Sequence, residues 1–131
     1  MVTGRCLCGT VQWRAEGPFA PLSHCHCSRC RKAHAAPFAT FTSRARDAFE
    51  WVAGEEAITR YASSENFVRP FCSRCGSSVP QVTSSGDRVR LPAGSMDQPP
   101  GLDAGRHIFA ASKADWYRIR DMIPQYEEFP A

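Results

Sequence analysis

The sequence predicts a mainly β protein, built from several short strands with brief helical turns and organised around bound metal. Three observations carry this expectation. Several stretches are rich in β-branched and aromatic residues or alternate with the period of a strand. Ten prolines and nine glycines are spread along 131 residues and leave little room for long helices. The seven cysteines stand in three tight groups rather than scattered.

Residues 11–15 alternate apolar and polar until Gly17 and Pro18 stop the pattern. Residues 38–42 and 48–52 are aromatic and β-branched, with Gly54 closing the second run, so both read as strands. Further short strands are expected at 58–61, 66–72, 78–83 and 88–93, the last two joined by the turn-forming Ser84, Ser85, Gly86 and Asp87. Helical turns are expected at 28–34 and at 114–121, where Ser112 has the chemistry of an N-cap and Asp115 supplies an acidic first turn. Residues 96–101 read as a loop leading to a tail that packs on the same core. The length suits one domain over residues 1–131, and no internal repeat or low-complexity tract is visible.

Lys and Arg number 16 against 13 Asp and Glu, and the resulting +3 is too small for a nucleic-acid footprint, so no nucleic-acid partner is expected. The charge allows anionic small ligands. No stretch approaches the run of about 18 apolar residues that a membrane helix needs, and Met1 to Arg5 runs directly into a cysteine motif, so the expectation is a cytoplasmic chain without a membrane partner. Reducing surroundings disfavour disulfides, and an odd count cannot pair completely within one chain, so metal ligation is the better use for the thiols.

Cys6 and Cys8, one residue apart, would face the same side of an extended strand and could grip one ion if the chain curls, a curl that Gly4 and Gly9 make easy. Cys72 and Cys75, followed by Gly76, have the spacing of a zinc knuckle. Together these pairs supply four thiolates, a closed tetrahedral site that would pin the sheet. Cys25, Cys27 and Cys30 combine both spacings, so a strand end turning into a helix could present three sulfurs to a second ion with one position open, the arrangement of catalytic zinc. His24, His26, His34 or His107 could instead fill that position, His26 least readily because alternation turns it away from its neighbours. Spacing also leaves open a different partition, with Cys6 and Cys8 joining Cys25 and Cys27.

The motifs Gly4-Arg5-Cys6-Leu7-Cys8-Gly9-Thr10-Val11, Cys25-His26-Cys27-Ser28-Arg29-Cys30-Arg31-Lys32 and Phe71-Cys72-Ser73-Arg74-Cys75-Gly76-Ser77 closely resemble the glutathione-dependent formaldehyde-activating enzyme family, which includes the centromere-protein-V domain. His107-Ile108-Phe109, Ser112-Lys113-Ala114, Trp116 and Ile123-Pro124-Gln125-Tyr126 resemble its C-terminal signature, so the likeness spans nearly the whole chain. The resemblance implies a β-tent of several coiled antiparallel sheets. It implies two zinc ions per chain, one structural at Cys6, Cys8, Cys72 and Cys75 and one catalytic at Cys25, Cys27 and Cys30. One position departs from the pattern: Ala35 stands where family members commonly have a glycine suited to a helix end with positive φ.

The activity the resemblance implies is that of a carbon–sulfur lyase: glutathione, or another small thiol, adds through its thiolate to formaldehyde or a small aldehyde, giving S-hydroxymethylglutathione, or the same bond is cleaved in reverse. The charge of the site agrees with this. Three thiolates outweigh the charge of zinc and make it a poor acid towards water, whereas a thiol is a better guest. A free thiol is only about 3% thiolate at pH 7, so holding it as thiolate raises the nucleophile roughly thirtyfold, about 2 kcal/mol. Arg29, Arg31 and Lys32 beside the cluster could meet the carboxylates of glutathione. Trp13, Trp51, Phe38 and Phe41 read as core or pocket wall, and Asp97 and His107 as possible proton carriers. The alternative expectation is a non-enzymatic zinc module that binds a partner.

Overall fold

The computed structural model describes residues 1–102 and 105–130 and shows, among them, ten strands and one α-helix. In chain order these are β1 (Val2–Arg5), β2 (Gln12–Ala15), β3 (Ser23–Cys25), α1 (Ser28–His34), β4 (Ala39–Ala45), β5 (Phe49–Ala53), β6 (Ile58–Ser64), β7 (Phe67–Cys72), β8 (Gln81–Val82), β9 (Arg88–Pro92) and β10 (Arg106–Ile108). The chain is mainly β in several small sheets, as expected, and it divides into two units, Met1–Ala20 with Thr42–Gly101 and Pro21–Phe41 with Leu102–Ala131.

In the first unit the alternation of residues 12–15 becomes burial alternation. Trp13 and Ala15 turn inward from β2, while Gln12 and Arg14 face out. β2 lies between β1 and β5 in an antiparallel sheet, with Gly4 opposite Trp13 and Trp13 opposite Trp51. Val2, Trp13, Ala15, Phe49, Val89 and Leu91 form the buried core, with Trp51 packed against it. Each fully buried aliphatic there contributes about 1.5–3 kcal/mol. Gly4, expected to ease a curl, instead lets the Trp13 indole lie flat on β1: a Cβ at Gly4 would sit 2.2 Å from the ring. β6 and β7 form a two-stranded hairpin, and β8 and β9 pair antiparallel through the expected turn. β8 is shorter than the 78–83 strand expected because buried Pro80 has no N–H for a ladder, and Ser78 makes only an isolated bridge to Phe71.

In the second unit β3 pairs antiparallel with the Ala39 end of β4 and parallel with β10, a parallel pairing that the motifs did not announce. The tail lies along β10: the His107 amide donates to Pro124 and the Tyr126 amide to His107, both at 2.9 Å. It falls in the same unit as Pro21–Phe41. The helix expected at 114–121 does not form. One turn bond, from the Tyr117 amide to Ala114 at 3.2 Å, is made, and the Lys113 ammonium then takes the carbonyls of Ala114 (3.0 Å) and Tyr117 (2.6 Å) that a helix would need. Ser112 does not cap a helix either; it ends a short 3-10 turn.

α1 has the bounds expected. It stops at Ala35, whose φ of 50° and ψ of 46° are left-handed, so an alanine occupies the conformation that glycine adopts freely. Ala35→Gly is therefore expected to stabilise the fold by about 1 kcal/mol, read as a raised urea midpoint at constant slope. An unchanged or lowered midpoint would show that Ala35 carries no strain.

Candidate metal centres

The first centre is built by two turns. Cys6 and Cys8 do not lie on a strand, as the spacing suggested, but in the turn that follows β1, closed by the Gly9 amide on the Cys6 carbonyl at 3.0 Å, with Gly9 at φ 81°. Cys72 ends β7 and starts the second turn, in which the Gly76 amide donates to the Cys72 carbonyl at 2.8 Å. Ser77 stitches the two together: its hydroxyl accepts the Leu7 amide at 3.0 Å and lies 3.3 Å from the Cys75 sulfur. All four sulfurs fall within 4.8 Å of one another. Cys6 and Cys8 are 3.6 Å apart and Cys8 and Cys72 3.8 Å apart. A zinc tetrahedron with bonds of about 2.3 Å has edges of about 3.8 Å, so this all-sulfur set fits the ion.

Donors aimed at the sulfurs favour thiolates there. The Val11 amide reaches Cys6 Sγ at 3.3 Å. Hydrogen bonds from the Ser77 hydroxyl, the Ser77 amide and the Cys8 amide hold the Cys75 thiol down to about 5. The Thr10 hydroxyl, 3.1 Å from Cys8, lowers that thiol too, while burial pushes Cys6 up. Cys6 and Cys72 belong to a small core with Val11 and Val79, so the centre is anchored in apolar packing.

The second centre sits where β3 turns into α1. Cys25 is the last residue of the strand, and Cys27 is the N-cap of the helix, its sulfur accepting the Cys30 amide at 3.3 Å. Cys30 faces inward from the first turn of α1. Their three sulfurs lie within 4.8 Å of one another, in a buried cluster with Ala39 and beside Phe41, Ile108 and Phe109. The Cys30 thiol and burial together push the Cys25 thiol far up, so three thiolates this close require a cation between them. The grouping of the cysteines is thus four and three, and no histidine or carboxylate among the described residues joins the three.

The histidines that could have filled the fourth position are engaged elsewhere. His24 Nδ1 is 2.7 Å from Thr40 Oγ1, and the His34 ring stands edge-on to Phe41. His26 Nε2 is 2.7 Å from His107 Nδ1, and His107 Nε2 is 3.0 Å from Asp121. The carboxylate can only accept, so it takes the His107 Nε2–H; with both imidazoles neutral, His107 Nδ1 then accepts from His26 Nε2–H. The buried His26 Nδ1 is left as a lone pair without a partner. Burial first, then the neighbouring His107, holds His26 down to about 4. Sequence reasoning missed this chain, because residues 81 apart carry no sign of meeting.

Of the basic residues, Arg29 and Lys32 are exposed on α1, whereas Arg31 braces the site by donating to the carbonyls of His26 and Ser112, each at 3.3 Å. Asp97 belongs to the first unit and is held there by Thr3 (3.0 Å) and Arg5 (3.4 Å). Trp13 and Phe49 are core, while Phe38 packs against the rings of His24, His26 and Tyr117.

Comparison with known proteins bears on this arrangement. The sequence model of a family described as glutathione-dependent formaldehyde-activating enzyme matches residues 1–112. A protein of Schizosaccharomyces pombe (strain 972 / ATCC 24843) described as an uncharacterized lyase is 34% identical over 76 residues, which are 58% of this chain and 53% of that protein. The chain thus spans about half the length of that curated relative. A crystal structure of a Rhodobacter sphaeroides protein, 21% identical, superposes with a TM-score of 0.58 over 94% of this chain and 98% of that one, a likeness of fold.

Proposed function

Because the chain belongs to the glutathione-dependent formaldehyde-activating enzyme family, we propose that it is a zinc-dependent carbon–sulfur lyase joining a small thiol such as glutathione to a small aldehyde such as formaldehyde, or cleaving the product. The observation that carries this reading is the three-cysteine group, which gains no fourth protein ligand among the described residues. The four-cysteine group, closed and anchored in packing, is the structural site.

Zinc bound by Cys25, Cys27 and Cys30 would supply an open position at which an incoming thiol is held as its thiolate. The reaction balances without a further reagent: the thiol sulfur bonds to the carbonyl carbon, the carbonyl π pair moves to oxygen, and the thiol proton ends on that oxygen. The protein's own residues hold the pieces. α1 positions two of the three sulfurs, and the Cys30 amide fixes the Cys27 sulfur. Arg31 ties the helix to Ser112, while Arg29 and Lys32 remain free to draw in an anionic thiol. Free thiols in both clusters suit a reducing, cytoplasmic setting, and no helix among the described residues is long and apolar enough to cross a membrane.

Calorimetry of zinc-loaded protein at millimolar glutathione is expected to show stoichiometric binding, and the hydroxymethyl adduct is expected to form faster than in buffer. No heat of binding together with the buffer rate would leave a zinc module without this activity.

A further inference from the structure

Phe109 is one of two described residues other than glycine with a positive φ. Its φ of 54° and ψ of 36° are left-handed, a conformation in which a Cβ crowds the backbone. The other, Ala35, ends a helix, where that conformation is common. Phe109 follows a strand, so its strain has a different use. That use is direction. Successive side chains of a strand point to opposite faces. Along β10, His107 meets His26 at 2.7 Å, while Ile108, one residue on, packs against Cys25, Cys30 and Ala39. A straight continuation would send Phe109 back to the His107 side. The left-handed turn sends it to the same cluster as Ile108, so two consecutive side chains cover the cysteines.

The turn is held from both directions. The Ile108 carbonyl accepts the His26 amide at 3.0 Å, which ties it to the residue between Cys25 and Cys27. From the tail, the Glu128 carbonyl accepts the Phe109 amide at 3.1 Å and the Tyr126 carbonyl accepts the Ala110 amide at 2.9 Å. The Phe109 ring stands edge-on to that of Phe129, with centroids 4.8 Å apart. Phe129 is 66% exposed, so this aromatic pair runs from the cluster to solvent. Of the three cysteines, Cys25 and Cys30 are buried and Cys27 is half-buried. A guest therefore approaches past Cys27 and meets Phe41, Ile108 and Phe109, an apolar wall that selects by shape.

We infer that Phe109 is the specificity-determining residue of the second centre: it admits thiols whose carbon next to sulfur is unbranched and rejects branched ones, with Phe129 as the positioning residue that holds its ring. The inference rests on the function proposed above only in placing a thiol at Cys25, Cys27 and Cys30.

The test uses zinc-loaded full-length protein with N-acetylcysteine and N-acetylpenicillamine, which share an amide and a carboxylate and differ by two methyl groups on the carbon bonded to sulfur. One surplus methylene in an apolar pocket changes affinity about 10–200-fold, so calorimetry is expected to show wild type preferring N-acetylcysteine by about tenfold or more. Phe109→Ala is expected to cut that preference about tenfold. Phe109→Leu, which keeps the bulk, is expected to leave it near wild type. Phe109→Gly is expected to lose the preference as Phe109→Ala does but to unfold at higher urea than that variant, because glycine is free of the strain. Phe129→Ala is expected to lower the preference by a smaller factor at a nearly unchanged urea midpoint, since its ring is largely exposed.

The inference is overturned if wild type binds neither thiol or both equally, or if Phe109→Ala keeps the wild-type preference. Should Phe109→Ala not fold, Phe129→Ala decides, and a wild-type preference there overturns the inference. Failure of the lyase reading looks different: the Phe109-dependent preference persists while the glutathione adduct forms at the buffer rate. The reverse, an accelerated adduct with no preference between the two thiols, overturns this inference alone.

Discussion

Cys72→Ser is expected to yield no folded, soluble protein. Cys72 is fully buried and ends β7, and its carbonyl and amide close the turn that brings Cys75 to the other sulfurs. A structural zinc site of this kind contributes about 10–16 kcal/mol to folding, against a total stability of about 5–15 kcal/mol for an ordinary domain. Losing one of four thiolates therefore removes more stability than the apolar core of this unit can spare. The soluble fraction after expression and the far-UV spectrum at 25 °C read the outcome. A folded variant with a melting temperature near wild type would show that the four-cysteine centre does not hold the sheet.

Cys30→Ser is expected to behave in the opposite way: a folded chain that retains one zinc and has lost thiol binding. The second centre lies at one strand end and one short helix, and that helix keeps other ties, from Arg31 to the carbonyls of His26 and Ser112 and from the Ala36 amide to Arg31 at 3.3 Å. Metal content by mass spectrometry, circular dichroism and the rate of hydroxymethyl adduct formation are the measurements. Unfolding as complete as that of Cys72→Ser would end the division into a structural and a catalytic centre.

What the sequence made legible was local. The bounds of α1 followed from the residues between Cys27 and Ala35, and the αL conformation suspected at Ala35 is present. The knuckle at Cys72 and Cys75 and the turn at Gly86 are contained in a few residues and formed as expected. β1, β3 and β10 were missed because they are three or four residues long, too short for a period to show, and β3 and β10 exist through pairing with distant segments, which propensity does not record. Residues 114–121 failed as a helix because one ammonium, that of Lys113, took the carbonyls. Cysteine spacing proposed pairs of ligands, but only the folded chain grouped them four and three. The link from His26 through His107 to Asp121 needed three dimensions.

The parallel pairing of β3 with β10 also has a consequence for synthesis. Ser23 and Arg106 meet across 83 residues, so at a synthesis rate of about 5–20 residues per second β3 waits roughly 4–17 seconds for its partner strand. Through that interval Cys25, Cys27 and Cys30 have emerged while Ile108 and Phe109, which pack beside them, do not yet exist. Three neighbouring thiols without their cover are open to oxidation and to wrong pairing. The nascent chain therefore depends on early capture of a metal ion, or on surroundings that keep thiols reduced, before the tail arrives to close over the cluster.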